Sequence, residues 1–254
     1  MNLHQEFLRH GDVVTYRVPD GYTGVIPFNQ REGRAVVLSP EGALRKNPND
    51  MIIAFIDPKS NGDKSICHDV VQGVGQKYWN VQKSVPAERL SDRLLSTTIK
   101  NFLDLVYPTE DKFDIVSASN MICYGHTYLY RLAYCNADGD KPRPVLAISF
   151  ANTQGIALAL KHTTSRSDPI YHCPIPYAGD ANCGNIFLID TKKVGRLIGS
   201  LDQPRMHDVA QTLMGKLDDR VFGANLRSWG ARACTPREQL VARGMEGRLA
   251  SATM

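Results

Sequence analysis

The chain has 254 residues, 43% hydrophobic and 22% charged, which allows two domains of about 100–125 residues and excludes extended disorder. Its net charge of +4 is carried by residues 220–254, where six arginines stand against two glutamates, so overall charge does not demand a polyanion partner. No apolar run approaches the roughly 20 residues a membrane helix needs, and Met1 to Glu6 open no secretory signal; both point to a cytoplasmic protein with no membrane partner.

Taken in chain order, the predicted elements come twice. Gly11 to Val18 reads as a strand and lies over Gly125 to Leu132 without a gap, sharing Gly, Tyr and Arg. A polar loop follows each, Pro19 to Gly33 and Cys135 to Lys141. Each loop opens into an apolar run ending in serine, Ala35 to Ser39 and Val145 to Ser149. Second short apolar runs, Met51 to Ile56 and Ile156 to Leu160, read as buried strands, and Tyr78 to Val81 and Ile186 to Ile189 as a further strand in each half. A helix closes each half. In the first, Leu94, Leu95, Ile99, Phe102 and Val106 recur at helical spacing behind a Ser91 cap. In the second, Met206, Val209, Ala210, Leu213 and Leu217 do so behind Asp202, with Pro204 near the start. Several short strands with one helix make a small barrel or a strongly bent sheet.

The six cysteines lack CxxC spacing and, without an export signal, read as reduced and partly buried thiols. Cys67-His68 and His172-Cys173 invite a zinc site, but adjacent residues rarely share one tetrahedral ion, so no metal and no cofactor is expected. Pro108 to Lys112 is the expected junction between the halves, and the arginine-rich end reads as a loose helix on an arm, with packing and RNA binding both open to it.

Asp138 to Ser149, with Arg143-Pro144 leading into a strand, resembles the MazF/PemK family of toxin endoribonucleases. The resemblance continues at Ile156 to Ser165, a strand running into Thr-Thr-Ser, and at Gly184 to Val194, a strand running into a polar segment with Asp190; it covers roughly residues 112–217. It implies a β-rich (α+β) fold of two tandem small SH3-like β-barrels, each closed by a C-terminal helix. The expected divisions are 1–108, a degenerate barrel; 112–219, a barrel with the candidate site; and 220–254, an arginine-rich tail. It also implies metal-independent cleavage of single-stranded RNA, in which the ribose 2′-hydroxyl attacks the adjacent phosphate. An antitoxin protein would be a further partner.

That chemistry needs a base for the 2′-oxygen, a cation for the charge developing on phosphate, and donors to orient it. Arg143 suits the cation's place, because its planar fork binds two phosphate oxygens and stays charged. Thr163 and Thr164 offer hydroxyls to hold the phosphate. Asp190 is the candidate base or orienting group, and His162 its rival as the side chain titrating nearest neutrality. Lys141, Pro144, Ser165, Arg166 and Lys192 complete the candidate substrate contacts. Tyr22, Phe28, Tyr124 and Tyr128 could stack on bases, although core positions are the commoner home for such residues.

The first half departs from this set. Gly33-Arg34 stands where Arg143-Pro144 does, sequence alignment puts Lys59 and Ser60 at Thr163 and Thr164, and Val81 at Asp190, leaving Arg34 or Arg31 to reach a phosphate. One working half beside one scaffold half suggests an intramolecular pseudo-dimer with RNA across it. The alternative from a different class is a non-catalytic RNA-, antitoxin- or protein-binding member that kept the fold. An unrelated pair of β-rich domains is the third reading.

Overall fold

The computed structural model describes residues 7–46, 51–59, 66–74, 78–114, 122–132, 141–164 and 172–217. They form two curled antiparallel sheets with few helices. The first sheet holds β1 (Val13–Arg17), β2 (Glu32–Val37), β3 (Met51–Ile56), β4 (Ile66–Val74) and β5 (Gln82–Lys83), in the order β4-β3-β2-β1-β5. The second holds β6 (His126–Tyr130), β7 (Arg143–Ala147), β8 (Ile156–Thr163), β9 (His172–Ile175), β10 (Gly179–Asp190) and β11 (Leu197–Ser200), in the order β11-β6-β7-β8-β10-β9. Four helices complete the described chain: α1 (Glu41–Lys46), α2 (Asp92–Val106), α3 (Glu110–Asp114) and α4 (Gln203–Leu217).

Apart from the additional β9, the two sheets share one strand order, and matching hydrogen bonds recur in both. The Ser39 hydroxyl accepts from the Ile52 N–H at 2.8 Å, and the Ser149 hydroxyl accepts from the Leu158 N–H at 2.9 Å. The Gly11 N–H donates to the Val37 carbonyl and the Gly125 N–H to the Ala147 carbonyl, at 2.8 and 3.0 Å. A buried leucine, Leu90 or Leu201, donates its N–H back to that glycine at 2.9 Å and leads into the closing helix. The serine that ends each apolar run is therefore a buried acceptor for the backbone of the next strand, which explains a polar residue at that position.

The closing helices start where their caps place them. Ser91 accepts from the Leu94 N–H, and Asp202 from the Arg205 N–H at 3.1 Å, each occupying a donor that the first helical turn leaves unpaired. Leu95, Phe102 and Val106 on α2, and Met206, Val209, Ala210, Leu213 and Leu217 on α4, are buried. One continuous core joins Val36, Phe55 and Phe102 to Leu146, Leu158, Ile186 and Met206, so both sheets and both helices close on it. A smaller cluster lies on the other face of the second sheet, where Tyr128, Tyr130, Val145, Ala147, Ala157, Ala159 and Ile189 meet.

Three features differ from the sequence expectations. Tyr78 to Asn80 forms a turn, not a strand, and Trp79 packs its ring against Tyr16, Tyr22 and Phe55. The strand in β10's place in the first sheet is β4, whose Ile-Cys-His-Asp beginning reads as a polar stretch. Two of its polar side chains reach distant partners: Gln72 donates to the Tyr22 hydroxyl at 3.0 Å, and Asp69 accepts from Asn152 at 3.2 Å. In the segment expected as a junction α3 begins, and Lys112 there donates to the Asp104, Leu105 and Tyr107 carbonyls that end α2 while standing over the Tyr124 ring. Tyr22, Tyr124 and Tyr128 are buried and Phe28 packs against the core, which leaves them to packing and not to base stacking. Among the described residues, no helix is long and apolar enough to cross a membrane.

Candidate functional site

The geometry around Arg143 follows from strand register. Tyr130 on β6 lies opposite Arg143 on β7, and Tyr128 opposite Val145. Val145 in turn lies opposite Lys161 on β8, where the recorded pairing ends. The cause is Pro144, which has no N–H to carry the ladder further. Continuing that register by two residues places Arg143 opposite Thr163. Thr163 has its own partner on the other side, Asp180 of β10. Directly opposed residues of an antiparallel pair share a face, with Cβ atoms about 4.5–5.5 Å apart. Tyr130, Arg143, Thr163 and Asp180 thus form one row across four strands at one end of the sheet, with Lys161 a step behind it on the same face. Arg143, Lys161, Thr163 and Asp180 are all half-buried, walled by the small apolar cluster and open to solvent at the strand ends.

Gly179, which opens β10, brings that strand close to the end of β8. A Cβ on Gly179 would stand 2.8 Å from the Thr163 carbonyl oxygen and 3.6 Å from Thr164 Cγ2. Thr164 follows β8 and is exposed. Lys141 is exposed two residues before Arg143, and Pro144 faces away from the row, opposite Leu129. Ser165 and Arg166 lie outside the described residues, as do the 133–140 loop and the arginine-rich end.

The two candidate bases are not brought to this row. Alternation along β8 turns His162 to the opposite face from Thr163. There it is 5% exposed, its Nδ1 donating to the Ala178 carbonyl at 3.1 Å, which leaves Nε2 to accept from the Thr127 hydroxyl at 3.3 Å. Burial pushes its pKa down to about 4, so it stands neutral and fully hydrogen-bonded at pH 7. Asp190 pairs with Ile156, at the far end of β8 from Thr163. Its carboxylate accepts from the Lys192 N–H at 3.0 Å and pairs with Lys193 at 3.8 Å, capping the 3-10 turn Thr191–Lys193. Its backbone N–H donates to the Tyr130 hydroxyl at 3.1 Å, so the curl of the sheet links it to the row only through the tyrosine ring. Lys192 sits with Asp190 and away from Thr163.

Sequence reasoning missed Lys161 and Asp180. The first was legible in the alternation that puts Lys161 and Thr163 on one face and His162 on the other. The second was hidden by an irregularity in β10, where the register shifts between Ala181 and Ile186.

In the first sheet the same place is closed. Counting from the matched Ser39–Ile52 and Ser149–Leu158 bonds, Gly33 stands at Arg143 and Asp57 at Thr163, so Asp57 replaces the Lys59 expected there. Gly33 lies under Tyr16, opposite it on β1; a Cβ there would come within 2.8 Å of the Tyr16 hydroxyl. Arg34 is ion-paired with Glu88, and Arg31 donates to the Pro19 carbonyl at 2.7 Å. An acidic residue and an occluded glycine do not make a phosphate site.

Cys67, Cys123, Cys173 and Cys183 are free thiols; burial raises Cys67 to about 11 and Cys173 to about 12, so neither is a ready nucleophile. No group of three or more His, Cys, Asp or Glu side chains gathers to hold a metal among the described residues.

No protein-family model matches the chain. No curated protein matches it either. Among solved structures, an endoribonuclease from mycobacterial species aligns at 20% identity over 39% of this chain and 88% of its own, with a TM-score of 0.30. An endoribonuclease in complex with its cognate antitoxin, also from mycobacterial species, aligns at 22% identity over 37% of this chain and 92% of its own, with a TM-score of 0.31.

Proposed function

We propose that the chain is a metal-independent endoribonuclease of the MazF/PemK toxin type, cutting single-stranded RNA at the second sheet. The observation that carries this reading is the β7–β8 register, Val145 opposite Lys161, which continued two residues past Pro144 sets Arg143 opposite Thr163. An arginine fork and a threonine hydroxyl side by side can grip one phosphate and neutralise the charge that builds on it as the 2′-oxygen attacks. The product would be a cyclic phosphate and a free 5′-hydroxyl. Lys141 and Lys161 add positive charge along the backbone of the same strand of RNA. An antitoxin partner and a cytoplasmic setting belong to the same proposal.

The first sheet serves in this reading as scaffold, in an intramolecular pseudo-dimer of two small barrels. Support comes from the continuous core and from the direct approach of β4 to β10 at Gly73. The second reading, a binding protein without catalysis, is favoured by one observation: His162 and Asp190 are both committed to structural hydrogen bonds.

Incubating the purified protein with a long single-stranded RNA in EDTA decides between them. The expected result is discrete fragments with 5′-hydroxyl ends, and a cleavage rate lower by roughly 100- to 1,000-fold for Arg143→Ala, the loss typical of removing one charge-stabilising group. Intact RNA retained by the wild-type protein would move the conclusion to the binding reading.

A further inference from the structure

We infer that Asp180 is the general base of this site, an assignment that rests on the nuclease reading above. The site as read from sequence holds a cation and hydroxyls but lacks a proton acceptor, because His162 faces the other side of β8 and Asp190 caps a turn at its far end. Asp180 is the carboxylate the fold does supply. It is paired with Thr163 and shares its face, and with the β7–β8 register continued to Arg143 the threonine stands between arginine and carboxylate. A phosphate bridging Arg143 and Thr163 would leave the neighbouring ribose over Thr163 and Asp180. The carboxylate is half-buried at the start of β10, and Gly179 before it lets the strand approach the Thr163 backbone more closely than any side chain would allow.

The step balances without a cofactor. Asp180 takes the 2′-hydroxyl proton, the 2′-oxygen forms a bond to phosphorus, the bond from phosphorus to the 5′-oxygen breaks, that oxygen takes a proton from water, and Asp180 gives its proton to the hydroxide left behind. Arg143 holds the added negative charge throughout.

The test compares wild type with Asp180→Asn, which removes the acceptor and keeps the volume. Two substrates are needed: an RNA oligonucleotide spanning the strongest cleavage site found on long RNA, and its analogue with 2′-deoxyribose at the cleaved step, which binds without reacting. The expected outcome is a single-turnover rate lower by about 100-fold or more, the usual share of a positioned base, with affinity for the deoxy analogue within about twofold of wild type. Arg143→Ala should instead lose rate and affinity together. A circular dichroism melt accompanies each variant; should Asp180→Asn melt early, Asp180→Glu replaces it and must retain a measurable part of the rate. Cleavage by Asp180→Asn at the wild-type rate, or equal losses of rate and affinity, would overturn the assignment and leave the nuclease standing. Failure of the wild-type protein to cut RNA would remove both.

Discussion

At the scale of single residues, His162 shows how burial decides what a titratable group can do. Its imidazole is enclosed, with one nitrogen on the Ala178 carbonyl and the other on Thr127, whose hydroxyl also approaches Tyr177 at 3.4 Å. Desolvation outweighs the smaller opposing effects of the Ala178 bond and of Asp180, and holds the folded pKa at about 4 against an ordinary 6.5. The folded state therefore refuses a proton that the unfolded chain accepts. Stability from this group is complete above about pH 6.5, falls as pH drops from there to about 4, and levels off below, a loss of about 3 kcal/mol across the window. Urea melts at pH 7 and pH 4.5 should show a smaller difference for His162→Gln than for wild type. An equal pH dependence in both proteins would show that this histidine is not held neutral. From sequence, His162 stands as the rival candidate base beside two threonines; only the alternation of β8, fixed by its register with β10, reveals that it faces away from Thr163.

At the scale of elements, legibility tracked how completely local chemistry dictated the backbone. Apolar runs ending in serine became strands, since the run must be buried and the serine must accept the next strand's N–H. The closing helices were legible from spacing and caps for the same reason. The 66–74 segment was not, because its partners are Tyr22 and Asn152, far away in sequence, and neither composition nor periodicity marks them. The Arg143–Thr163 opposition was half legible: Arg-Pro marks the ladder's end, but the facing residue depends on register. Asp180 was invisible until the β10 irregularity was placed. Gly179 ties the element to the site. With φ of +81° and the Thr163 carbonyl in its path, it tolerates no side chain without displacing the end of β8. Gly179→Ala should cost about 1–3 kcal/mol in a chemical melt and lower RNA cleavage by moving Thr163 off Arg143. A variant with wild-type stability and rate would mean that the β8 end yields freely and that the row is not rigidly set.

At the scale of the whole molecule, the two sheets share a core that neither completes alone. Their contact is close enough for backbone to meet backbone: a Cβ on Gly73 of β4 would stand 3.3 Å from the Gly184 oxygen and from the Ile186 nitrogen of β10. Beside this contact, Asn152 donates to Asp69, and the Tyr107 hydroxyl meets His207 Nδ1 at 3.0 Å, joining the end of α2 to α4. In the proposed pseudo-dimer, a surface that two separate chains would have to bury against each other is supplied within one chain, where the effective concentration of the partner is high. The full chain is therefore expected to behave as a monomer in light scattering, and Gly73→Val should lower its stability by about 1–3 kcal/mol, as overpacking at a tight contact does. Gly73 meets β10 at Gly184 and Ile186, beyond Asp180 on the same strand, so under conditions where the variant stays folded its loss of cleavage rate should be small beside that of Asp180→Asn. Two outcomes would count against a self-contained pair of sheets. A stable dimer of the full chain would mean that the two sheets do not satisfy each other within one chain. An unaffected melt for Gly73→Val would mean that β4 and β10 can part without cost, and the first sheet would then no longer be needed as the scaffold of the second.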